Sequence, residues 1–499
     1  MEQLWMGLIS LISPVTLLYL LLGVVIFMVI GLLPGLSGPV GMALLVPITY
    51  GLGKEAAFAM LIGGHSAVMF AGSITAIVLG IPGTGLNVAT TFDGFPLTKQ
   101  GRAGEAMGAA ACSSAMGGAV GAFVLAAAIP IMRPLVLAFG PPEIFAICLL
   151  GITTVAFISK GNILKGVLMG LVGVFLSTIG FNPITGSLRY TFNITVLWDG
   201  VELIAVIVGL FAFSEMIELF VNAHSISDRE MPVIRGIFKG ILAVFKNWFL
   251  FLRCAVIGTI IGVIPGVGGP SATFVTYAHA VSTSKNPEKF GKGAIEGVIA
   301  PESANDAKDG GALIPTLAFG IPGSTTMAIL VAALLMHGLD PGPELLLTQQ
   351  TFLFSLVWLV ILGGILGAII GLGAAGFLSK ITTVSYKILV PVIVTISALG
   401  AVVYRGLFSD LIIAVVFGIV GYIMKKLNYP KTTLLIGLVL GNKIEKSLFV
   451  STELYGYHFL FRPITLTILI ILVGILLWPF VNSWIKKLKR INSRTDVGR

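Results

Sequence analysis

The chain has 499 residues, of which 56% are apolar or aromatic and 11% charged. That balance leaves too little polarity for a water-facing surface, which excludes an ordinary soluble enzyme or DNA-binding protein. Lys and Arg number 31 against 22 Asp and Glu, a formal charge of +9, and they gather in short inter-helix segments and at the C-terminus rather than on one amphipathic face, which points to membrane orientation and away from nucleic acid.

In chain order, residues 1–33 contain no Lys or Arg, so they lack the positive start of a cleaved signal peptide and read as a retained first membrane helix. Further apolar segments are expected at 38–50, 56–81, 106–131, 134–158, 162–180, 195–221, 241–265, 310–336, 351–376, 384–403, 408–424 and 463–484. Several fall short of the roughly 20 residues that cross a bilayer. The expected fold is therefore an all-α integral membrane protein of about 11–13 transmembrane segments, some of them broken or re-entrant Gly/Pro half-helices. Cys112, Cys148 and Cys254 lie far apart in apolar runs, without disulfide or zinc spacing, and read as packing residues. The pairs Gly117/Gly121 and Gly166/Gly170 and the series Gly363/Gly367/Gly371 mark close helix contacts.

Two elements recur in order. GLLPGLSGP at Gly31–Pro39 returns as GVIPGVGGP at Gly262–Pro270, and LGIPGT at Leu79–Thr84 returns as FGIPGS at Phe319–Ser324, so two halves share one plan. The expected organisation is an N-terminal membrane repeat over 1–222, a basic cytoplasmic linker over 223–247, a C-terminal membrane repeat over 248–485 and a basic cytoplasmic tail over 486–499. Charges reverse between the halves. Lys54 alone follows the first PG element while Lys99 and Arg102 follow the first IPG, whereas Lys285, Lys289 and Lys292 follow the second PG and residues 337–354 carry no Lys or Arg. Equivalent loops then lie on opposite sides, which makes the repeat inverted and places the N-terminus outside and the C-terminus in the cytoplasm.

A Pro-Gly pair inside a membrane helix frees amides and carbonyls that hydrocarbon cannot satisfy, so the break lines something polar or packs tightly on protein. Four such breaks supply the candidate substrate contacts. They are Gly35 and Ser37; Gly83, Thr84 and Asn87; Gly266, Ser271 and Thr273; and Gly323, Ser324, Thr325 and Thr326. Glycines admit a ligand to the backbone, half-helix starts favour an anion, and hydroxyls or carbonyls hold carboxylate or sodium. Glycine-packed kinked helices are the plainer alternative. Ionisable residues at membrane depth are candidates by their cost. His65, Asn305 and Asp306 are the expected cation-coupling residues, although a hydrogen-bonded core histidine would equally explain His65. Asp93, before Gly94, reads as an Asx-turn. The string APESANDAKDGGALIP at Ala300–Pro315 reads either as a cation site built from Glu302, Asn305, Asp306 and Asp309 or as a solvated loop neutralised by Lys308. No phosphate loop, HExxH or GxSxG motif occurs, so the chain is not expected to be an enzyme, and neither cofactor nor metal other than Na+ is expected.

The ordered motifs PGLSG, AGSITAIVLGIPGT, ATTFDGFPLTKQGRAGEA, PGVGG, APESANDAKDGGALIPTLAFGIPGS and HGLDPGPEL span roughly Gly31 to Glu445. Together they resemble the large membrane subunit of the tripartite tricarboxylate transporter family. The resemblance implies a bacterial inner-membrane secondary transporter, driven by a Na+ or H+ gradient, that works with a small membrane subunit and a periplasmic solute-binding protein. Its implied substrates are citrate and other di- or tricarboxylates, with homo-oligomers allowed. By position it places the substrate and ion region at the PG and IPG segments. The sequence departs from the family pattern at His65, Asp306, Lys308 and Asp309. A stand-alone carboxylate carrier, an anion channel and an intramembrane acid/base enzyme are the competing readings.

Overall fold

A computed structural model describes residues 2–33, 36–158, 163–221, 234–266, 268–374 and 386–478. Its principal helices are α1 (Pro14–Leu32), α2 (Gly38–Leu45), α3 (Lys54–Val78), α4 (Val88–Lys99), α5 (Ala103–Leu137), α6 (Pro141–Ile158), α7 (Ile163–Ser177), α8 (Leu203–Val221) and α9 (Ile237–Lys246). They continue with α10 (Trp248–Val263), α11 (Gly268–Thr283), α12 (Glu296–Phe319), α13 (Thr325–Met336), α14 (Gln350–Gly373), α15 (Tyr386–Val403), α16 (Phe408–Lys426), α17 (Lys431–Tyr455) and α18 (Pro463–Trp478). A two-residue hairpin pairs Gly180 with Arg189. Among the described residues, six helices (α1, α3, α5, α8, α14 and α16) are long and apolar enough to cross a membrane. The count reaches eight if the bent pairs α9–α10 and α17–α18 are each one span. The chain is thus an all-α, multi-pass membrane protein.

Packing divides the described chain into two compact units, one from residues within 1–137 and 201–426, the other from residues within 138–200 and 427–499. In the second, α7 packs between α6 and α17 through small residues: Gly166 faces Ala156, Gly170 faces Ile152 and Gly173 faces the Leu434 carbonyl. Glu143, buried at the start of α6, accepts from the Gly140 amide, Arg462 Nε and Thr465 Oγ1, each at 2.9 Å, and so fixes α18.

In the first unit α12 is the central element, held by α5 and α10. Gly117 and Gly121 of α5 lie against the carbonyls of Ser303 and Ala307, while Gly258 and Gly262 of α10 lie against Ala304 and the Lys308 carbonyl. Backbones approach this closely only where no Cβ intervenes. On the other side, Gly363 and Gly367 of α14 close on Gly63 and Ala67 of α3. Every residue in the most apolar stretch of α3 is buried, so protein rather than lipid surrounds that helix.

The repeated motifs fold alike. Leu33 and Ile264, each preceding a proline, leave the helical region at φ −87°, ψ 107° and φ −82°, ψ 110°, because the proline ring disfavours the α conformation of its predecessor. Gly80 and Gly320 both adopt φ +71°, the left-handed helix end that glycine takes at little cost. Thr84 Oγ1 then accepts from the Leu86 amide and Ser324 Oγ from the Met327 amide, both at 3.3 Å, restarting the helix.

Three expectations change. The segments 106–131 and 134–158 do not divide at 131–134: α5 runs unbroken through Pro130 and Pro134 to Leu137, and α6 begins at Pro141. Residues 300–309 form no solvated loop but the buried middle of α12, since neighbouring helices enclose them and meet part of their polar demand, whereas hydropathy counts each charge only as a penalty. Asp93 lies within α4, not in an Asx-turn. The expected linker 223–247 is outside the described residues as far as 233, with α9 in its remainder, and the tail 486–499 lies outside them too.

A Cβ on Gly83 would stand 2.2 Å from the Gly31 carbonyl oxygen and 2.6 Å from Gly72 Cα, whereas one on Gly323 would stand 3.0 Å from Ala312 Cβ and 3.1 Å from the Gly262 carbonyl oxygen. Gly83→Ala should therefore cost about 1–3 kcal/mol by overpacking against main chain, and Gly323→Ala less. Thermal unfolding of the two variants in detergent checks the ranking, and equal losses in Tm would contradict it.

Candidate functional site

Helix α12 presents Glu302, Asn305, Asp306 and Asp309 at positions i, i+3, i+4 and i+7, which lie along one helical face. All four are 4% exposed or less. The stripe extends about 10 Å along the axis at 1.5 Å per residue, and its two ends differ in charge.

At the N-terminal end, hydroxyls converge on Glu302. Ser73 Oγ and Thr90 Oγ1 donate to Glu302 Oε1 at 2.7 and 2.5 Å. Behind Ser73, Asn87 Nδ2 donates to its Oγ at 2.7 Å and to the Met69 carbonyl at 3.0 Å, while Thr84 Oγ1 donates to Asn87 Oδ1 at 2.6 Å. The break after α3 is thereby wired to a carboxylate on α12. Ser114 of α5 donates to Asp306 Oδ2. Glu302 Oε2, Asp306 Oδ1 and both polar side-chain atoms of Asn305 are buried without a hydrogen-bond partner in the protein. Unsatisfied buried acceptors are costly, and three carboxylate or amide oxygens in this state form a natural seat for a proton or a small cation. Among the described residues no three His, Cys, Asp or Glu side chains converge as metal ligands, so the acceptors are spread along the helix.

At the C-terminal end, Asp309 sits between two basic groups. Lys308 Nζ is 2.5 Å from Asp309 Oδ1, and His65 Nε2 is 3.5 Å from Asp309 Oδ2. Each basic group touches the start of a half-helix. A Cβ on Gly38, in the first turn of α2, would lie 2.8 Å from His65 Cε1, and one on Gly269, in the first turn of α11, would lie 2.5 Å from Lys308 Cε. One broken helix from each half therefore begins against the Asp309 group. Two positive helix ends beside a lysine favour an anion there.

The other expected site residues fall around these ends. Ser37 is the half-buried N-cap of α2 without a side-chain capping bond, and Gly35 lies outside the described residues. The Gly266 amide donates to the Gly323 carbonyl at 3.1 Å, joining the two breaks of the second half. Ser271 is half-buried in the first turn of α11, and Thr273 donates to the Pro270 carbonyl at 3.0 Å. Ser324 caps α13, whose first turn also holds Thr325 and the buried Thr326; α13 packs mainly on α2, with a smaller contact on α12. Gly85 and Leu86 meet Pro270 and Gly269, bringing a break of the first half onto α11 of the second. Asp93 is a fastening: its Oδ1 accepts from the Gly293 and Ala294 amides and its Oδ2 from Tyr277 Oη, all at 2.8 Å. Ser73, Thr90 and Ser114 were not among the expected site residues. Ser73 and Thr90 lie inside the motifs AGSITAIVLGIPGT and ATTFDGFPLTKQGRAGEA, whereas Ser114 leaves only a hydroxyl within an apolar helix.

Residues 17–436 match the model of the family described as Tripartite tricarboxylate transporter TctA family. The chain is 33% identical over 457 residues to an uncharacterized 52.8 kDa protein in the TAR-I ttuC′ 3′ region of Agrobacterium vitis, covering 90% of this chain and 89% of that one. It is also 36% identical over 191 residues to an uncharacterized protein in the TAR-II ttuC′ 3′ region of the same organism, covering 38% of this chain and 79% of that protein. No solved structure matches the chain.

Removing one partner of a buried ion pair strands the other. Asp309→Ala should therefore destabilise the protein by about 3–5 kcal/mol by leaving Lys308 uncompensated, and Lys308→Met added to it should recover much of the loss. Thermal unfolding of both single variants and the double variant measures this coupling; strict additivity would contradict it.

Proposed function

The chain belongs to the tripartite tricarboxylate transporter TctA family, whose members are transporter subunits, and from that premise we propose that it imports di- or tricarboxylates by secondary active transport coupled to Na+ or H+. Uptake proceeds with a small membrane subunit and from a periplasmic solute-binding protein, across the inner membrane, with the C-terminus in the cytoplasm. The two halves act as inverted repeats, and the shorter apolar helices supply the rest of about 11–13 crossings as partial spans.

The observation that carries this reading is the polarised stripe on α12. Three buried carboxylates share the stripe with one lysine, which pairs with Asp309, so Glu302 and Asp306 need a proton or a cation to stay buried. A multiply charged anion entering this low-dielectric space meets repulsion until a cation has loaded. We assign the cation to Glu302, Asn305 and Asp306, where acceptors stand unpaired. We assign the carboxylate to the starts of α2 and α11 beside Lys308 and His65, with Gly38, Gly269 and the neighbouring Ser37 and Ser271 lining its approach. Thr84 and Asn87 act one step back, through Ser73, by holding Glu302 in place. Cation and anion then neutralise each other in one compartment, and movement of the loaded site favours the pair over either ion alone.

The test is uptake of labelled citrate and a panel of di- and tricarboxylates into vesicles under imposed Na+ or H+ gradients, with and without the two partner proteins. Accumulation should require a gradient and both partners. Asp306→Asn should alter the cation dependence, and Lys308→Gln should raise the substrate KM by tenfold or more while leaving the cation dependence in place. Gradient-independent flux would point to a channel, and uptake by the chain alone to an independent carrier.

A further inference from the structure

Helix α9 meets α10 at a bend of 81°, closed by Asn247, whose Nδ2 donates to the Ala243 carbonyl at 2.9 Å. If α10 runs through the bilayer, α9 lies nearly in its plane. The ten residues of α9 have three distinct faces. Gly240 and Val244 are buried on α5, with Gly240 against the Glu105 carbonyl and Ile237 against Gly108 of α5. Phe238, Leu242 and Phe245 are 71%, 44% and 55% exposed. At about 100° per residue they form one stripe roughly 150° away from the buried face. Lys239 and Lys246, both exposed, lie together about 100° around from Phe238. Beyond the corner, the Arg253 guanidinium stands 4.7 Å over the Phe249 ring, and its Nε has no hydrogen-bond partner in the protein.

An apolar stripe flanked by cations, on a helix bent 81° from its apolar neighbour α10, has the layout of a helix at the bilayer surface. We propose that α9 is an interfacial helix that binds acidic phospholipid: acyl chains cover Phe238, Leu242 and Phe245, and the headgroup phosphate is held by Lys239, Lys246 and Arg253. The occupant follows from the charge, since the corner offers cations and the stripe offers only hydrocarbon. The close backbone contacts of α9 with α5, which itself packs on α12, make this lipid a brace for the central unit.

The experiment places the full chain in nanodiscs of phosphatidylcholine alone or mixed with phosphatidylglycerol and measures Tm at low and high salt. The wild-type chain should gain several degrees in the anionic discs, and high salt should reduce the gain. A variant combining Lys239→Gln, Lys246→Gln and Arg253→Gln should keep its Tm in phosphatidylcholine, which reports intact folding, and lose most of the gain. An undiminished gain in that variant, or no gain in the wild type, would overturn the proposal. If a second protein covers the stripe instead, Phe238→Ser with Phe245→Ser would weaken association with the small membrane subunit without any dependence on lipid charge, and that outcome also overturns it.

Discussion

Charge buried in an apolar helix sets the terms for the rest of the molecule. Glu302, Asp306, Lys308 and Asp309 lie within eight residues of α12 and are almost wholly inaccessible. Hydrocarbon cannot carry such a segment, so α12 must be enclosed by protein on every side. The enclosure is built from glycines. Gly117 and Gly121 of α5 and Gly258 and Gly262 of α10 let main chain replace lipid at van der Waals contact, and the buried stretch of α3 supplies His65 and Ser73 from another side.

Within that enclosure the helix breaks acquire a purpose. A membrane helix interrupted at Pro-Gly exposes amides that need a partner, and the starts of α2 and α11 lie against His65 and Lys308, the two basic groups that flank Asp309. The duplicated motifs thus deliver one half-helix from each half to the same ion group, although the charges themselves are not duplicated. Asp93 serves a different end. By accepting two amides just ahead of α12 it ties the first half to the second half's central helix, and the neighbouring Tyr277 completes the clamp.

Much of this was legible in the residues. Proline and glycine carry their geometry with them, so the breaks at Leu33, Gly80, Ile264 and Gly320 could be placed from the motifs alone. The spacing of Glu302, Asn305, Asp306 and Asp309 also announced a single helical face, yet hydropathy scored the same residues as a loop, because it sees a charge but not its partner. The Asp93–Gly94 pair misled for a related reason: its local turn signal was outweighed by amides two hundred residues away in the chain. Ser73 and Thr90 lay inside motifs without standing out there, and Ser114 lay in none. A hydroxyl in an apolar helix most often bonds its own backbone, and only the packing of α12 reveals which ones turn to a carboxylate.

The central claim is that anion and cation share one buried compartment on α12 and stabilise each other there. Thermodynamic linkage gives the most direct measure: equilibrium binding of a labelled tricarboxylate to the purified chain, titrated at fixed membrane composition across a range of Na+ concentrations and of pH. Carboxylate affinity should rise steeply with one of the two cations, and the affinity for that cation should rise by the same factor when carboxylate is bound. Carboxylate binding that is tight yet indifferent to both Na+ and pH would contradict it.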